Sequence, residues 1–189
     1  MQTSQLITRS TNLSCGHRVM NEAMLCYNLH GHEYITELTF SYNTPEDIGY
    51  AIDFKEIKRV FIQFLQDYMD HGEILNPKDT LVIDVVNKLG TRLWLMSLNG
   101  EGNYCNPTVE NIAKEIWLAM DVLSKELYGD SGTGLDIYRV KVYETPNCYT
   151  ECFSYSISHN ERENWMKYRE DLVKQYAHTK GIMDYDDRK

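Results

Sequence analysis

No stretch of this chain stays apolar over the ~20 residues a bilayer-spanning helix needs, and residues 1–10 hold no long hydrophobic block. Neither a membrane span nor a secretory signal is expected. Basic charge is also scarce: 19 Lys and Arg stand against 28 Asp and Glu, a net charge of −9. Phosphate-backbone binding needs a basic surface, so nucleic acid is not expected as a partner. A small anionic substrate is still allowed, because a local pocket of Lys and Arg can oppose the global charge. No internal repeat or low-complexity tract is present. The five cysteines (15, 26, 105, 148 and 152) are odd in number and have no zinc-finger spacing. With no signal segment, they point to reduced thiols and a cytoplasmic setting.

The 189 residues are 42% apolar and 25% charged, an ordinary soluble composition and enough chain for one domain with additions. Periodicity gives its elements. Residues 5–18 and 28–42 read as strands, the second rich in β-branched and aromatic residues. Residues 43–47 are turn chemistry. Asp53 reads as a helix N-cap, followed by Phe54, Ile57, Lys58, Phe61, Ile62, Leu65 and Tyr68 at helical spacing, with Asp70-His71 at the helix end. Residues 80–89 suggest a short helix closed by Gly90, residues 92–98 a strand and 99–106 a loop. Thr108 caps a second long helix with Glu110 in its first turn, and Ile112, Ile116, Ala119, Met120, Leu123 and Leu127 form its buried stripe. Residues 129–134 break it. Two strands over 136–144 and 149–158 follow, joined by a loop slightly long for a tight hairpin. A polar helix then runs from Asn160 to about Tyr176, and residues 181–189 form a charged tail. The order implies an α+β fold: an antiparallel sheet with helices on one face.

Chemistry concentrates near the N-terminus. Side chains alternate along a strand, so His30 and His32 share one face. Antiparallel pairing of the first two strands brings His17 to them. Three histidines with one position left open is the ligand pattern of a catalytic zinc. Cys26 lies four residues before His30, so a thiol shares the neighbourhood. By itself a His-x-His pair is more commonly a surface or core pair, and a lone intracellular Cys a small buried hydrophobe. Cys15 stands two residues before His17 and reads as a packed thiol. His159 and His178 have no partners at useful spacing and read as solvated. Cys148 and Cys152 read as a reduced pair.

His17, Cys26-x-x-x-His30-Gly31-His32, Gly49-x-x-x-Asp53-Phe54, Asp70-His71, Pro107-Thr108-Val109-Glu110-Asn111 and Glu144 stand in one order over about residues 5–155. Together they resemble the 6-pyruvoyltetrahydropterin synthase and 6-carboxytetrahydropterin synthase family. His30-Gly31-His32 after Leu29 and the 70–76 stretch resemble the bacterial carboxy branch more closely.

The resemblance implies the tunnelling fold, in which ββααββ subunits join antiparallel sheets into an oligomeric barrel, usually a hexamer of two stacked trimers. It implies Zn2+ on His17, His30 and His32 and the small-molecule substrate 7,8-dihydroneopterin triphosphate. The carboxy branch yields 6-carboxy-5,6,7,8-tetrahydropterin, acetaldehyde and triphosphate, on the way to queuosine-type deazaguanines. The pyruvoyl branch eliminates triphosphate without carbon–carbon cleavage. A non-catalytic pterin-binding module is the remaining alternative.

By the same resemblance Cys26 is the base, its thiolate favoured by nearby positive charge. Asp70 orients His71, which tunes Cys26 and carries its proton. Glu144 grips the pterin edge with both carboxylate oxygens and joins the charge relay. Thr108 and Glu110 line the pterin pocket, although Glu110 read alone is a helix-dipole residue. The fold sets such sites between subunits, which allows Cys26 and Glu144 to come from different chains. Residues 1–158 are then the catalytic domain, with an insertion at about 77–105 because thirty-six residues separate His71 from Thr108. Residues 159–189 are a helical extension and tail. Arg18, Lys55 and Arg92 are the candidates for the triphosphate.

Overall fold

A computed structural model describes residues 5–43, 49–129 and 134–181. Most of the expected 43–47 turn, the centre of the 129–134 break and the tail from 182 lie outside the described residues. Strands β1 (Gln5–His17) and β2 (His30–Tyr42) pair antiparallel without interruption, from Gln5 opposite Tyr42 to His17 opposite His30. The alternation that suggested the strands also decides their faces. Leu13, Cys15 and His17 are buried on one side, while Ser10, Asn12 and Ser14 are exposed on the other.

The first helical rod runs through α1 (Phe54–Ile57), a π turn at Lys58–Ile62 and α2 (Gln63–Tyr68). Asp53 caps it by accepting from the Lys55 amide at 2.8 Å. Ile57, Phe61 and Leu65 are buried as the spacing requires, but Phe54 is half exposed. After the rod come β3 (Gly72–Leu75), α3 (Thr80–Leu89), β4 (Arg92–Leu95) and α4 (Val109–Tyr128). Gly90 ends α3 in the left-handed region, φ 67°, which glycine reaches without steric cost. Strands β5 (Asp136–Thr145) and β6 (Cys148–Cys152) and helix α5 (His159–Lys180) complete the chain.

Among the described residues the sheet has six strands in the order β4-β3-β1-β2-β5-β6. Its β1-β2-β5-β6 part is antiparallel, and β3 and β4 add to it in parallel. The antiparallel pattern expected from sequence is thus extended into a mixed sheet. The cause is β3, which pairs only with Cys15, Gly16 and His17 of β1. The rest of the outer edge of β1 has no partner strand among the described residues.

Several boundaries depart from the sequence reading, among them β4, which ends at Leu95 rather than 98. The β5–β6 connection is tight, with only Pro146 and Asn147 between the paired ends. Strand β6 stops at Cys152 rather than continuing to 158, because the Ser156 hydroxyl accepts from the Phe153 amide and closes a 3₁₀ turn. Ser158 and Glu161 then form a capping box that starts α5.

One core joins the buried sheet face to the helices: Leu13, Tyr34, Leu38, Phe40 and Val140 meet Phe61, Phe64, Ile116, Leu123 and Trp165. Each such side chain contributes roughly 1.5–3 kcal/mol of burial free energy. Although polar overall, α5 enters this core through Trp165, Val173, Tyr176 and Ala177. The buried Glu115 carboxylate ties three elements together, accepting from Trp165 Nε1 at 2.6 Å, Trp94 Nε1 at 3.3 Å and the Ser97 amide. A smaller cluster of Leu75, Val82 and Val86 seats α3 on β3.

Candidate metal centre and acid–base groups

The strand register that buries the core also builds the metal centre. His17 closes β1 opposite His30, and His32 follows two residues along the same face of β2. The three ring centroids lie 4.5, 4.9 and 5.2 Å apart. One ligand nitrogen from each falls within 4.8 Å of the others, so the three can hold a metal ion.

Two backbone carbonyls set the rings. His17 Nδ1 donates to Pro107 O at 2.8 Å, and His30 Nδ1 donates to Asn28 O at 2.7 Å. A carbonyl only accepts, so both protons sit on Nδ1 and both Nε2 atoms present lone pairs; the tautomers are assigned from these partners. Yet the two Nε2 atoms face each other at 3.1 Å. A proton or a cation must sit between them to offset the repulsion. His17 is fully buried, and its pKa falls to about 4 through desolvation, with His30 and His32 adding to the drop and the Pro107 bond opposing it. Burial therefore disfavours the proton, and the donor set fits a divalent ion. Orientation of ligand rings through their second nitrogen is typical of such sites.

Glu144 borders the cluster, with Oε1 3.7 Å from His17 Nε2 and 3.8 Å from His32 Nε2. It stands where the β5–β6 register shifts between Tyr143 and Thr145. Bulges commonly re-aim a side chain beside a site. Cys26 sits on a 3₁₀ turn, Leu25–Tyr27, in the loop joining β1 to β2. Its thiol pKa is raised, first by desolvation and then by Glu144 and Glu22. The charges that act on it among the described residues are these two carboxylates. Glu144 and Cys26 of one chain thus feel each other electrostatically.

The second acid–base pair stands elsewhere. His71 Nδ1 donates to Asp70 Oδ2 at 2.8 Å, while Asp70 Oδ1 accepts from the Ser14 amide at 2.8 Å. Asp70 is thus hydrogen-bonded to both the His71 ring and the β1 backbone. The His71 backbone is held at φ 53°, its side chain is 80% exposed, and its hydrogen-bond partner is Asp70 rather than Cys26. Among the described residues His71 and Cys26 share no hydrogen bond.

Thr108 caps α4 by accepting from the Asn111 amide, and Glu110 is exposed in the first turn. They follow directly on Pro107, the residue whose carbonyl steadies His17. Cys15 is a packed thiol: it is buried, it donates to Met69 O at 3.2 Å, and its pKa is pushed up to about 12 by burial. Two of the triphosphate candidates are already engaged. Arg18 lies 3.4 Å from Asp79 and over the Tyr27 ring, and Arg92 donates to the carbonyls of Gln66 and Asp70. Lys55 is exposed. The solvated histidines do have partners: His159 pairs with Glu163 at 3.2 Å, and His178 with Glu126 at 2.8 Å. All five cysteines carry free thiols.

Sequence reasoning missed Tyr34. Its ring packs edge-on against His17 and His32 at 5.9 and 5.5 Å, and its buried hydroxyl has no hydrogen-bond partner among the described residues. The signal was available, since Tyr34 continues the two-residue spacing of His30 and His32.

The fold and the cluster define an α+β protein of the tunnelling-fold class with a three-histidine site able to hold a metal. Residues 6–154 match the family described as 6-pyruvoyl tetrahydropterin synthase, and the chain belongs to that family. It is 32% identical over 145 residues to the 6-carboxy-5,6,7,8-tetrahydropterin synthase of Rickettsia felis, covering 76% of this chain and 96% of the relative. An uncharacterized protein from Wolinella succinogenes superposes with a TM-score of 0.62 at 18% identity, over 80% of this chain and 99% of the other. The 6-pyruvoyl tetrahydropterin synthase of Caenorhabditis elegans gives 0.51 at 17%, over 81% and 97%. Among the described residues no helix is long and apolar enough to cross a membrane.

Proposed function

We propose that this chain is a zinc-dependent 6-carboxy-5,6,7,8-tetrahydropterin synthase. It takes 7,8-dihydroneopterin triphosphate to 6-carboxytetrahydropterin, releasing acetaldehyde and triphosphate, as a cytoplasmic step toward 7-deazaguanines. The observation that carries this reading is the convergence of His17, His30 and His32 beside Glu144 and Cys26. The name of the Rickettsia felis relative supports the carboxy product over the pyruvoyl one.

His17, His30 and His32 would hold Zn2+, which when bound would supply Lewis acidity toward the substrate's side chain. The residues supply the rest. Cys26 takes and returns the proton moved between carbon and oxygen. Such a positioned base is worth roughly 10²–10⁴ in rate. Glu144 accepts from the pterin amino and ring N–H groups and shares in the relay. Thr108 and Glu110 line the pterin pocket. Asp70 fixes the His71 ring, and His71 serves the thiol of a neighbouring copy.

Assembly into a barrel is part of the proposal, with a hexamer as the expected form. Before Cys15 the outer edge of β1 meets no strand among the described residues, which leaves room for one from another copy. Met24, Leu25, Tyr27 and Leu29 stand exposed around Cys26, an apolar patch of the kind that marks an interface. We assign residues 1–158 as the catalytic unit, 77–105 as its insertion and 159–189 as an extension.

The test is product analysis on 7,8-dihydroneopterin triphosphate with metal content measured on the same sample. Acetaldehyde together with 6-carboxytetrahydropterin supports the assignment. Triphosphate release without acetaldehyde moves the chain to the pyruvoyl reaction. Pterin binding without turnover makes it a binding module.

A further inference from the structure

The loop that carries Cys26 has little apolar anchorage. No residue from 18 to 29 is buried, and Met24 and Leu25 are 77% and 79% exposed. Within one chain, hydrogen bonds rather than hydrophobic burial therefore set the position of this thiol. Inside the loop the Val19 amide donates to Cys26 O at 2.8 Å, so Cys26 moves with the residues just after His17.

Those residues are gripped by the two ends of the mid-chain segment. The Asn106 carboxamide pairs with both backbone groups of Met20: Oδ1 accepts from Met20 N at 3.0 Å, and Nδ2 donates to Met20 O at 2.8 Å. Asn106 is itself held. Asn76, fully buried, donates to Asn106 Oδ1 at 2.8 Å, and its own Oδ1 accepts from the amides of Lys78 and Cys105. The Tyr104 hydroxyl donates to Met20 O at 2.9 Å and accepts from Asn21 Nδ2 at 3.2 Å. On the other flank Asp79, at the start of α3, meets Arg18, whose guanidinium covers the Tyr27 ring next to Cys26. The residue after Asn106 is Pro107, whose carbonyl orients His17.

We propose that Asn106, backed by Asn76 and Tyr104, is a positioning residue that holds the Cys26 loop against the three-histidine cluster. One segment thereby sets both the metal ligand His17 and the thiol, so their spacing is fixed by a shared support. The inference rests on the assignment of Cys26 as the base. A displacement of about 1 Å at a reacting group can cost roughly 10²-fold in rate, enough for a lost loop clamp to be visible in kcat.

The test uses full-length protein in a Cys148→Ser background, since Cys148 is the exposed competing thiol. Asn106→Ala, Asn106→Asp and Tyr104→Phe are compared for Cys26 alkylation by iodoacetamide, kcat, KM and metal content. Asn106→Ala is expected to lower kcat roughly 10–100-fold with KM within about twofold. Release of the loop exposes the thiol, so alkylation should quicken measurably over the native rate. Asn106→Asp keeps the acceptor for Met20 N and is expected to fall between Ala and the native residue. Tyr104→Phe should show the smallest change. If Asn106→Ala fails to fold, the other two variants decide alone. Unchanged alkylation overturns the proposal whatever happens to kcat. Faster alkylation in a protein whose Cys26→Ala form is fully active would leave the clamp standing and remove only the base assignment.

Discussion

The three-histidine cluster and the Asp70–His71 pair lie at the two flanks of the same strand end, yet the chain treats them oppositely. The cluster is complete in one copy: rings within 5.2 Å, two of them locked by backbone carbonyls, and His17 fully buried. The Asp70–His71 pair is equally well ordered by hydrogen bonds but points its imidazole outward. A metal set needs only strand register, which β1 and β2 supply between them. An acid–base relay needs a thiol in front of the imidazole, and among the described residues the hydrogen-bond partner of His71 is Asp70. We read the cluster as the part a single chain builds and the relay as the part that assembly builds.

Breaking the metal side should have the largest effect. His30→Ala removes one of three ligands and leaves the His17 Nε2 without its counterpart. Bound zinc is expected to fall from about one per chain toward none, measured by elemental analysis, with activity lost alongside. Cys26→Ala tests the other side. We expect kcat to fall by roughly 10²–10⁴ while zinc stays bound, which separates proton transfer from metal holding.

Mixing sharpens the comparison further. Cys26→Ala and His71→Ala proteins, each nearly inactive, are denatured and reassembled together. If thiol and imidazole come from different copies, about a quarter of the sites regain both, and activity recovers to that order. No recovery would place the relay within one chain. The smallest effect concerns pH and the metal-free protein. The folded pKa of His17 lies below its unfolded value, so the unfolded chain binds the extra proton between about 6.5 and about 4. Stability is therefore expected to drop as pH falls through that window and to level off below it, by about 3 kcal/mol in all. Urea titrations at both ends of the window measure it, and His17→Gln should flatten the response.

Much of this architecture was legible because it rests on local patterns. Alternation marked β1 and β2, Asp53 and Thr108 announced their helices, and Gly90 closed α3. The pairing that joins the histidines followed from one antiparallel register. Strand β3 was missed because Gly72–Leu75 has four residues, no alternation and a parallel partner more than fifty residues away. The end of β6 was misjudged because Ser156 and Ser158 compete for the backbone through their side chains, an effect hydrophobicity does not display. The surroundings of Cys26 were not legible either. Which charges face a thiol on an exposed loop depends on contacts from Asn106, Tyr104 and Glu144, all far along the chain.

Anomalous diffraction at the zinc edge from crystals of the purified protein decides whether the three imidazoles hold an ion. A single strong peak is expected about 2.0–2.1 Å from the Nε2 atoms of His17, His30 and His32. Absence of that peak in a protein that turns over its substrate at full rate would contradict the metal assignment.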